Sequence, residues 1–156
     1  MIRLTKKSEY GLLALHHIAM RSGALVSAKE IADSLNISYE LTAKVLNQLA
    51  RAGFLHSHQG VQGGYILARR AQEITLQDVI STIEGGVTSR LVECSTIAEP
   101  EPGQTSGCGC SVYSHCTIKQ PMAVIQERIN HLFRSMTIAD LSSAQLSAQS
   151  ALVHLS

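Results

Sequence analysis

The amino-acid sequence predicts a mainly α chain with a small β-hairpin, laid out as a winged helix-turn-helix followed by a long helix. Three observations point there. Apolar residues recur at the three- and four-residue spacing of amphipathic helices through much of the chain. Two short helical patterns meet at a tight polar turn, Asn36-Ile37-Ser38. Two strand-like runs then flank the glycine-bearing turn Gln59-Gly60-Val61-Gln62-Gly63. At 156 residues and 45% hydrophobic content, the chain suits one domain, or one small domain plus an extension. Aromatics make up only 4% and Trp is missing, so the core must come from Leu, Ile, Val and Ala.

No run approaches the ~18 apolar residues of a membrane span. The first seven residues are charged, with no long apolar stretch or cleavage site behind them, so a signal peptide is not expected. The expected location is cytoplasmic, where thiols stay reduced. Four Cys in that setting point to metal or redox chemistry before a disulfide scaffold.

From Lys7 to Arg21 the pattern is helical. Tyr10, Leu13, Ala14, His17, Ile18 and Met20 are expected on one broad face with Leu12, Leu15 and Ala19 beside it, so that the helix is buried on much of its circumference, and His16 and His17 read as packing or surface residues. Ser27-Ala28-Lys29-Glu30 is a capping box, opening a short helix through Ile31, Ala32 and Leu35. Ser38 reads as a second N-cap. The helix it opens carries Leu41, Val45, Leu46 and Leu49 inward and ends at Gly53. Its outward set is Ser38, Tyr39, Glu40, Thr42, Ala43, Lys44 and Asn47.

Phe54–His58 and Gly64–Ala68 are expected to pair as a hairpin, with Arg69 and Arg70 adding positive charge at its end. A hairpin directly after a helix-turn-helix is a wing, and the composite favours DNA binding, with the second helix entering the major groove. Lys44 is then the expected phosphate or guanine contact. Glu40 either accepts from a cytosine amino group or sits in solvent. Charge distribution permits this reading. Residues 1–70 hold nine Lys/Arg against four Asp/Glu, a balance of +5, whereas residues 71–156 hold four against eight, a balance of −4.

Thr75-Leu76-Gln77-Asp78 opens a further helix that Gly85-Gly86 ends. The stretch from Gly85 to Cys116 is mostly Gly, Ser, Thr, Pro and Cys, and carries Cys94, Cys108, Cys110 and Cys116. So long a stretch without helical or strand pattern is functional or disordered. Thirteen, then one, then five residues separate these cysteines, which matches neither paired zinc motifs nor ferredoxin runs. Chemistry alone leaves an iron–sulfur centre, a zinc site, a thiol switch and unligated thiols all open. Beyond it, Thr117 is expected to cap a helix with Pro121 in its first turn. There Met122, Ile125, Ile129, Leu132 and Met136 form an a/d seam suited to a partner helix or to packing within the chain. Thr137 is expected to cap one more turn, and the Ser-, Ala- and Gln-rich tail from Ser142 is expected to fray.

These residues resemble the Rrf-two family of winged-helix regulators, of the IscR and NsrR type. The opening from Met1 to Tyr10 looks like the family's, the run Lys44-Val45-Leu46 with Leu49, Ala52 and Gly53 recurs in form, and the wing residues Gly60, Gly63-Gly64-Tyr65 and Leu67-Ala68 are the most specific match. The resemblance covers residues 1–141. Glu93-Cys94 followed by Cys110 and His115-Cys116 is similar to regulators of SUF iron–sulfur assembly operons.

The resemblance implies Cys94, Cys110 and Cys116 as ligands of an iron–sulfur cluster, 2Fe-2S in preference to 4Fe-4S. Cys108 is extra, replacing Cys110 or serving as a nearby thiol. The family's first interval is commonly short, and thirteen residues stand there here. Lys119 occupies the place of a ligand His found in some relatives. Others use an acidic side chain from the other subunit's N-terminal helix, which here is Glu9; its alternative is a surface carboxylate, free or paired with Lys6. The wing contacts implied are His58, Gln59, Gly60, Gly63 and Tyr65. Gln59 stands where relatives carry Arg, so one contact is lost or moved to His58.

The expectation is a homodimer on a pseudo-palindromic double-stranded DNA operator, repressing SUF assembly genes, with no membrane partner. Residues 1–84 form the reading domain, 85–118 the cysteine-rich loop, 119–141 the dimerisation helix and 142–156 the tail. A cluster-free thiol-redox sensor and a zinc-containing regulator are the alternatives. No Ser/His/Asp constellation or phosphate-binding glycine loop suggests an enzyme.

Overall fold

The computed structural model describes residues 4–21, 23–60, 63–85 and 115–142. Helix α1 spans Lys6–Met20, α2 Ala28–Leu35 and α3 Tyr39–Arg51; strands β1, Leu55–His58, and β2, Gly64–Leu67, follow. After a 3-10 turn at Ala71–Glu73 come α4, Leu76–Ile83, α5, Lys119–Ser135, and α6, Ile138–Ser142. The chain is mainly helical with one antiparallel hairpin, as the patterning predicts.

Thr5 caps α1, its hydroxyl accepting from the Ser8 amide at 3.2 Å. The buried face of α1 is Ser8, Gly11, Ala14, Leu15 and Ile18; it keeps Ala14, Leu15 and Ile18 of the expected surface but is narrower, and Leu13 and Met20 are exposed. The reason lies at Gly11, where a Cβ would overlap the Ile83 side chain of α4. The close approach of α4 therefore centres the core face on a residue with no side chain.

The core joins Leu15 and Ile18 of α1, Ile31 of α2, Val45, Leu46 and Leu49 of α3, and Val79 and Ile80 of α4. The Ser27 hydroxyl accepts from the Glu30 amide at 3.1 Å, but Glu30 does not complete the capping box as expected. Its carboxylate sits 2.7 Å from Arg21, joining the end of α1 to the start of α2. Asn36, at φ 52°, closes α2, and the Ile37 amide reaches back to Ala32 O at 2.9 Å. Gly53 closes α3 in a Schellman arrangement: its amide donates to Ala50 O and that of Phe54 to Leu49 O, both at 3.0 Å.

In the hairpin Leu55 faces Leu67 and His58 faces Gly64. A further bridge is not legible in the sequence. Val26, before α2, exchanges both backbone hydrogen bonds with Tyr65, at 2.8 and 3.0 Å. Gly64 is required there, because a Cβ would lie 2.7 Å from Val26 O.

Thr75 caps α4 as expected, accepting from the Asp78 amide at 3.1 Å. Thr117 does not cap α5; the cap position is Ile118, whose carbonyl accepts from Met122 N, so Thr117 falls one residue early. α5 packs on α4 and buries only Ala123 and Gln126. Its seam residues Ile125 and Leu132 are 44% and 53% exposed, and Val124 lies open beside them. The chain then turns back. Ile138 is fully buried and its amide donates to Ile74 O at 2.9 Å. Thr137 caps α6, and Asp140 Oδ2 accepts from the Thr137 amide at 2.7 Å and its hydroxyl at 2.8 Å. Those bonds hold the Asp140 carboxyl below its ordinary value. Among the described residues no helix is long and apolar enough to cross a membrane.

Candidate nucleic-acid interface

The turn between α2 and α3 leaves the first turn of α3 in solvent. Ser38, Tyr39 and Glu40 are all exposed, and the Ser38 hydroxyl makes no cap hydrogen bond. The expected Ser38 side-chain cap is therefore not formed; Ser38 contributes only its carbonyl, which accepts from both the amide and the hydroxyl of Thr42, each at 3.0 Å. An uncapped N-terminus presents free amides and positive potential to an anion such as phosphate.

Thr42 corrects the outward set. It is only 3% exposed, because it shares one helical face with Val45, Leu46 and Leu49. Its hydroxyl is satisfied by the carbonyl four residues back, so it supports the helix and does not face a groove. Lys44 and Glu40 do face outward, and their side chains pair at 2.9 Å. The Lys44 ammonium holds the Glu40 carboxyl below its ordinary value. So exposed a pair contributes little to stability.

The wing stands beside α3. Tyr65, expected as a wing contact, is half-buried and its hydroxyl donates to Asn47 Oδ1 of α3 at 3.1 Å. Burial raises the phenol's pKa, and nearby Tyr39 pushes the same way. Tyr65 is thus a strut between wing and helix. His58, Gln59 and Gly60 are exposed at the tip, where the Gly63 amide donates to Gly60 O at 2.9 Å. A Cβ at Gly63 would overlap His58 O. Arg69 lies over the Phe54 ring, 5.4 Å from its centroid, and Arg70 is exposed beside it. Helix start and wing tip make a polar edge able to follow a phosphate backbone while side chains reach base edges, and Arg69 and Arg70 add positive charge at the base of the wing, beside Gly53 at the end of α3.

Of the cysteines, Cys94, Cys108 and Cys110 lie outside the described residues. Cys116 is a half-buried free thiol just before α5. Glu9, on α1, pairs with Lys6 at 2.6 Å. It also lines an apolar groove of about 430 Å³ with Leu4, Leu12, Leu13, His16 and Leu141. Among the described residues no three His, Cys, Asp or Glu side chains converge on a metal position.

Comparison with known proteins decides the family. A family model described as Rrf2, an iron-dependent transcriptional regulator, matches residues 4–144. The chain belongs to the Rrf2 family. Its members are transcriptional regulators and not enzymes, and this Rrf2 chain is a DNA-binding regulator. CymR of B. subtilis, the global cysteine regulator, is 26% identical over 92% of this chain and 98% of its own, with a TM-score of 0.71. IscR of T. potens is 27% identical over 94% of this chain and 90% of its own, at 0.66. The oxidized form of CymR from Staphylococcus aureus shares the fold at 23% identity, over 90% and 96% of the two chains, at 0.66.

Three Rrf2-chain features escape the sequence: the Val26 bridge, the Tyr65 strut and Gln48. Gln48 Nε2 donates to Thr82 O at 2.8 Å and Ile83 O at 3.3 Å, tying α3 to the end of α4. Its polarity on an otherwise inward helix flank is the one signal that marks it.

Proposed function

We propose that this Rrf2 regulator is a homodimer that reads a pseudo-palindromic operator with two copies of α3 and the wing, under control of an iron–sulfur cluster. The observation that carries the DNA reading is the solvent-facing first turn of α3, buttressed by Tyr65 on Asn47. Ser38, Tyr39, Glu40 and Lys44 face the groove, and His58, Gln59 and Gly60 reach the flanking backbone. The open Val124, Ile125 and Leu132 side of α5 supports pairing with a second copy. Residues 1–84 read DNA, 85–118 sense, 119–141 dimerise and 142–156 form a tail.

The family's printed iron dependence and the donor chemistry support the cofactor. Three thiols, Cys94, Cys110 and Cys116, with a carboxylate, Glu9, suit iron, and 2Fe-2S is the form assigned. Cys108 is a spare thiol. Cys116 is half-buried, which shields a thiolate without sealing it off. Glu9 must exchange Lys6 for the metal, and the apolar lining around it strengthens that electrostatic preference. When bound, the cluster supplies a redox-sensitive link among thiolates distant in sequence. SUF assembly genes are the proposed targets, under repression.

The test is anaerobic purification with iron, sulfide and zinc analysis, run also on Cys94→Ala, Cys108→Ala, Cys110→Ala and Cys116→Ala. Iron with sulfide is expected in the parent chain and Cys108→Ala only. Stoichiometric zinc, or metal-free protein with unaltered DNA binding, overturns the cluster reading in favour of a zinc scaffold or a thiol switch.

A further inference from the structure

The end of α4 ties three helices together. Gln48, on the flank of α3, donates one side-chain amide to the carbonyls of Thr82 and Ile83. These carbonyls belong to the last turn of α4, beyond the reach of its own amides. One residue on, Glu84 Oε1 accepts from the buried Ser8 hydroxyl at 2.8 Å and from the Thr5 hydroxyl at 3.1 Å, both at the start of α1. Ile83 itself packs on the bare backbone of Gly11. Gly85 follows at φ +74°, and beyond it runs the segment carrying Cys94, Cys108 and Cys110.

The reading helix and the cysteine segment are therefore joined through two consecutive residues, Ile83 and Glu84. We propose that Gln48 is a positioning residue, through which the segment after α4 sets the attitude of α3 toward DNA. This rests on the reading of residues 85–118 as the sensor. Apolar burial between α3 and α4 is non-directional and supplies no directed bond between them. A directed amide on two carbonyls fixes their register, because hydrogen bonds weaken steeply off axis. A displacement at Gly85 moves those carbonyls, and α3, a rod of 13 residues, carries it to Ser38–Lys44.

The experiment compares DNA affinity of the full chain reconstituted anaerobically with ferrous iron and sulfide against the same chain stripped by chelator, on a duplex it selects from a randomised pool. The parent ratio is expected at about tenfold. Gln48→Leu and Gln48→Glu, with unchanged iron content, are expected to bring it below about threefold, within the range where coupling is lost. A parent-like ratio in both variants overturns the proposal. A ratio of one in the parent chain contradicts the sensor reading instead, and a second readout then tests the joint alone. Linkage is reciprocal, so DNA on α3 must slow hydrogen exchange at the Glu84 and Gly85 amides of metal-free protein. That protection is expected to disappear in Gln48→Leu; equal protection in both proteins overturns the joint.

Discussion

α3 and α5 are both amphipathic helices, yet among the described residues only α3 has its apolar face covered. α3 buries Thr42, Val45, Leu46 and Leu49 in its 13 residues, and what it leaves outside is polar. α5 buries Ala123 and Gln126 in 17 residues and leaves Val124, Ile125 and Leu132 in solvent. Exposed polar groups on a well-packed helix serve a polyanion. An apolar face left open on a poorly packed one serves another apolar surface. The contrast underlies the proposed division between a part that meets DNA and a part that meets a second copy.

Breaking the contrast from the α3 side gives the largest effect. Leu49 is fully buried, so Leu49→Ala is expected to cost about 3 kcal/mol of folding stability, read by urea unfolding. Leu132→Ala, on the open face of α5, is expected to leave a monomer's stability within about 0.5 kcal/mol.

Next comes association. Replacing both Ile125 and Leu132 by Lys is expected to raise the dimer dissociation constant by about 100-fold, equivalent to two modest interface anchors. Sedimentation velocity across a dilution series reads it, and an unshifted distribution would remove α5 from the interface.

A smaller effect sharpens the polar side. Lys44→Ala is expected to weaken DNA binding about tenfold and to lower the slope of log affinity against log salt by about 1. Because Lys44 also holds Glu40, the double change of Glu40 and Lys44 to Ala is expected to be less damaging than the single one. An unchanged salt slope for Lys44→Ala takes it off the phosphate.

The smallest effect concerns the return of the chain through α6. The Asp140 carboxyl is held below its ordinary value of 3.8, so the stability it adds is present above that pH and is lost as pH falls through the lowered folded value. Asp140→Asn is expected to remove this acid-dependent part of the unfolding free energy while leaving the plateau near pH 7 lower by about 0.5 kcal/mol, the scale of a cap contact. Identical pH profiles for the two proteins would assign the contact no energetic role.

Local features were legible wherever one residue type answers one local need. Ser27 and Thr75 cap because a hydroxyl before a helix has amides to accept from, and Gly53 ends α3 because a Schellman turn wants a left-handed residue. Features set by a distant neighbour were not legible. Thr42 looked like a polar outward residue, but its hydroxyl is satisfied by Ser38 O and it packs with Leu46. Glu30 has the spacing of half a capping box, but its carboxylate pairs with Arg21 from the end of α1. Leu13 and Met20 looked buried because hydropathy gives no hint that Gly11 is where α4 comes closest. Of the residues proposed for sensing, Glu9 and Cys116 are in view, whereas Cys94, Cys108 and Cys110 lie outside the described residues. The contacts proposed to join them to the reading helix, Gln48 on Thr82 and Ile83 and Glu84 on Thr5 and Ser8, are tertiary pairings with no motif of their own.

The most direct test of the account is the stoichiometry of the full chain on DNA, by sedimentation equilibrium with a duplex it selects for itself. Two chains per duplex are expected, on a sequence with two-fold symmetry, and one chain per duplex when Ile125 and Leu132 are both Lys. A parent chain that binds its selected duplex singly, on a site without that symmetry, would contradict it.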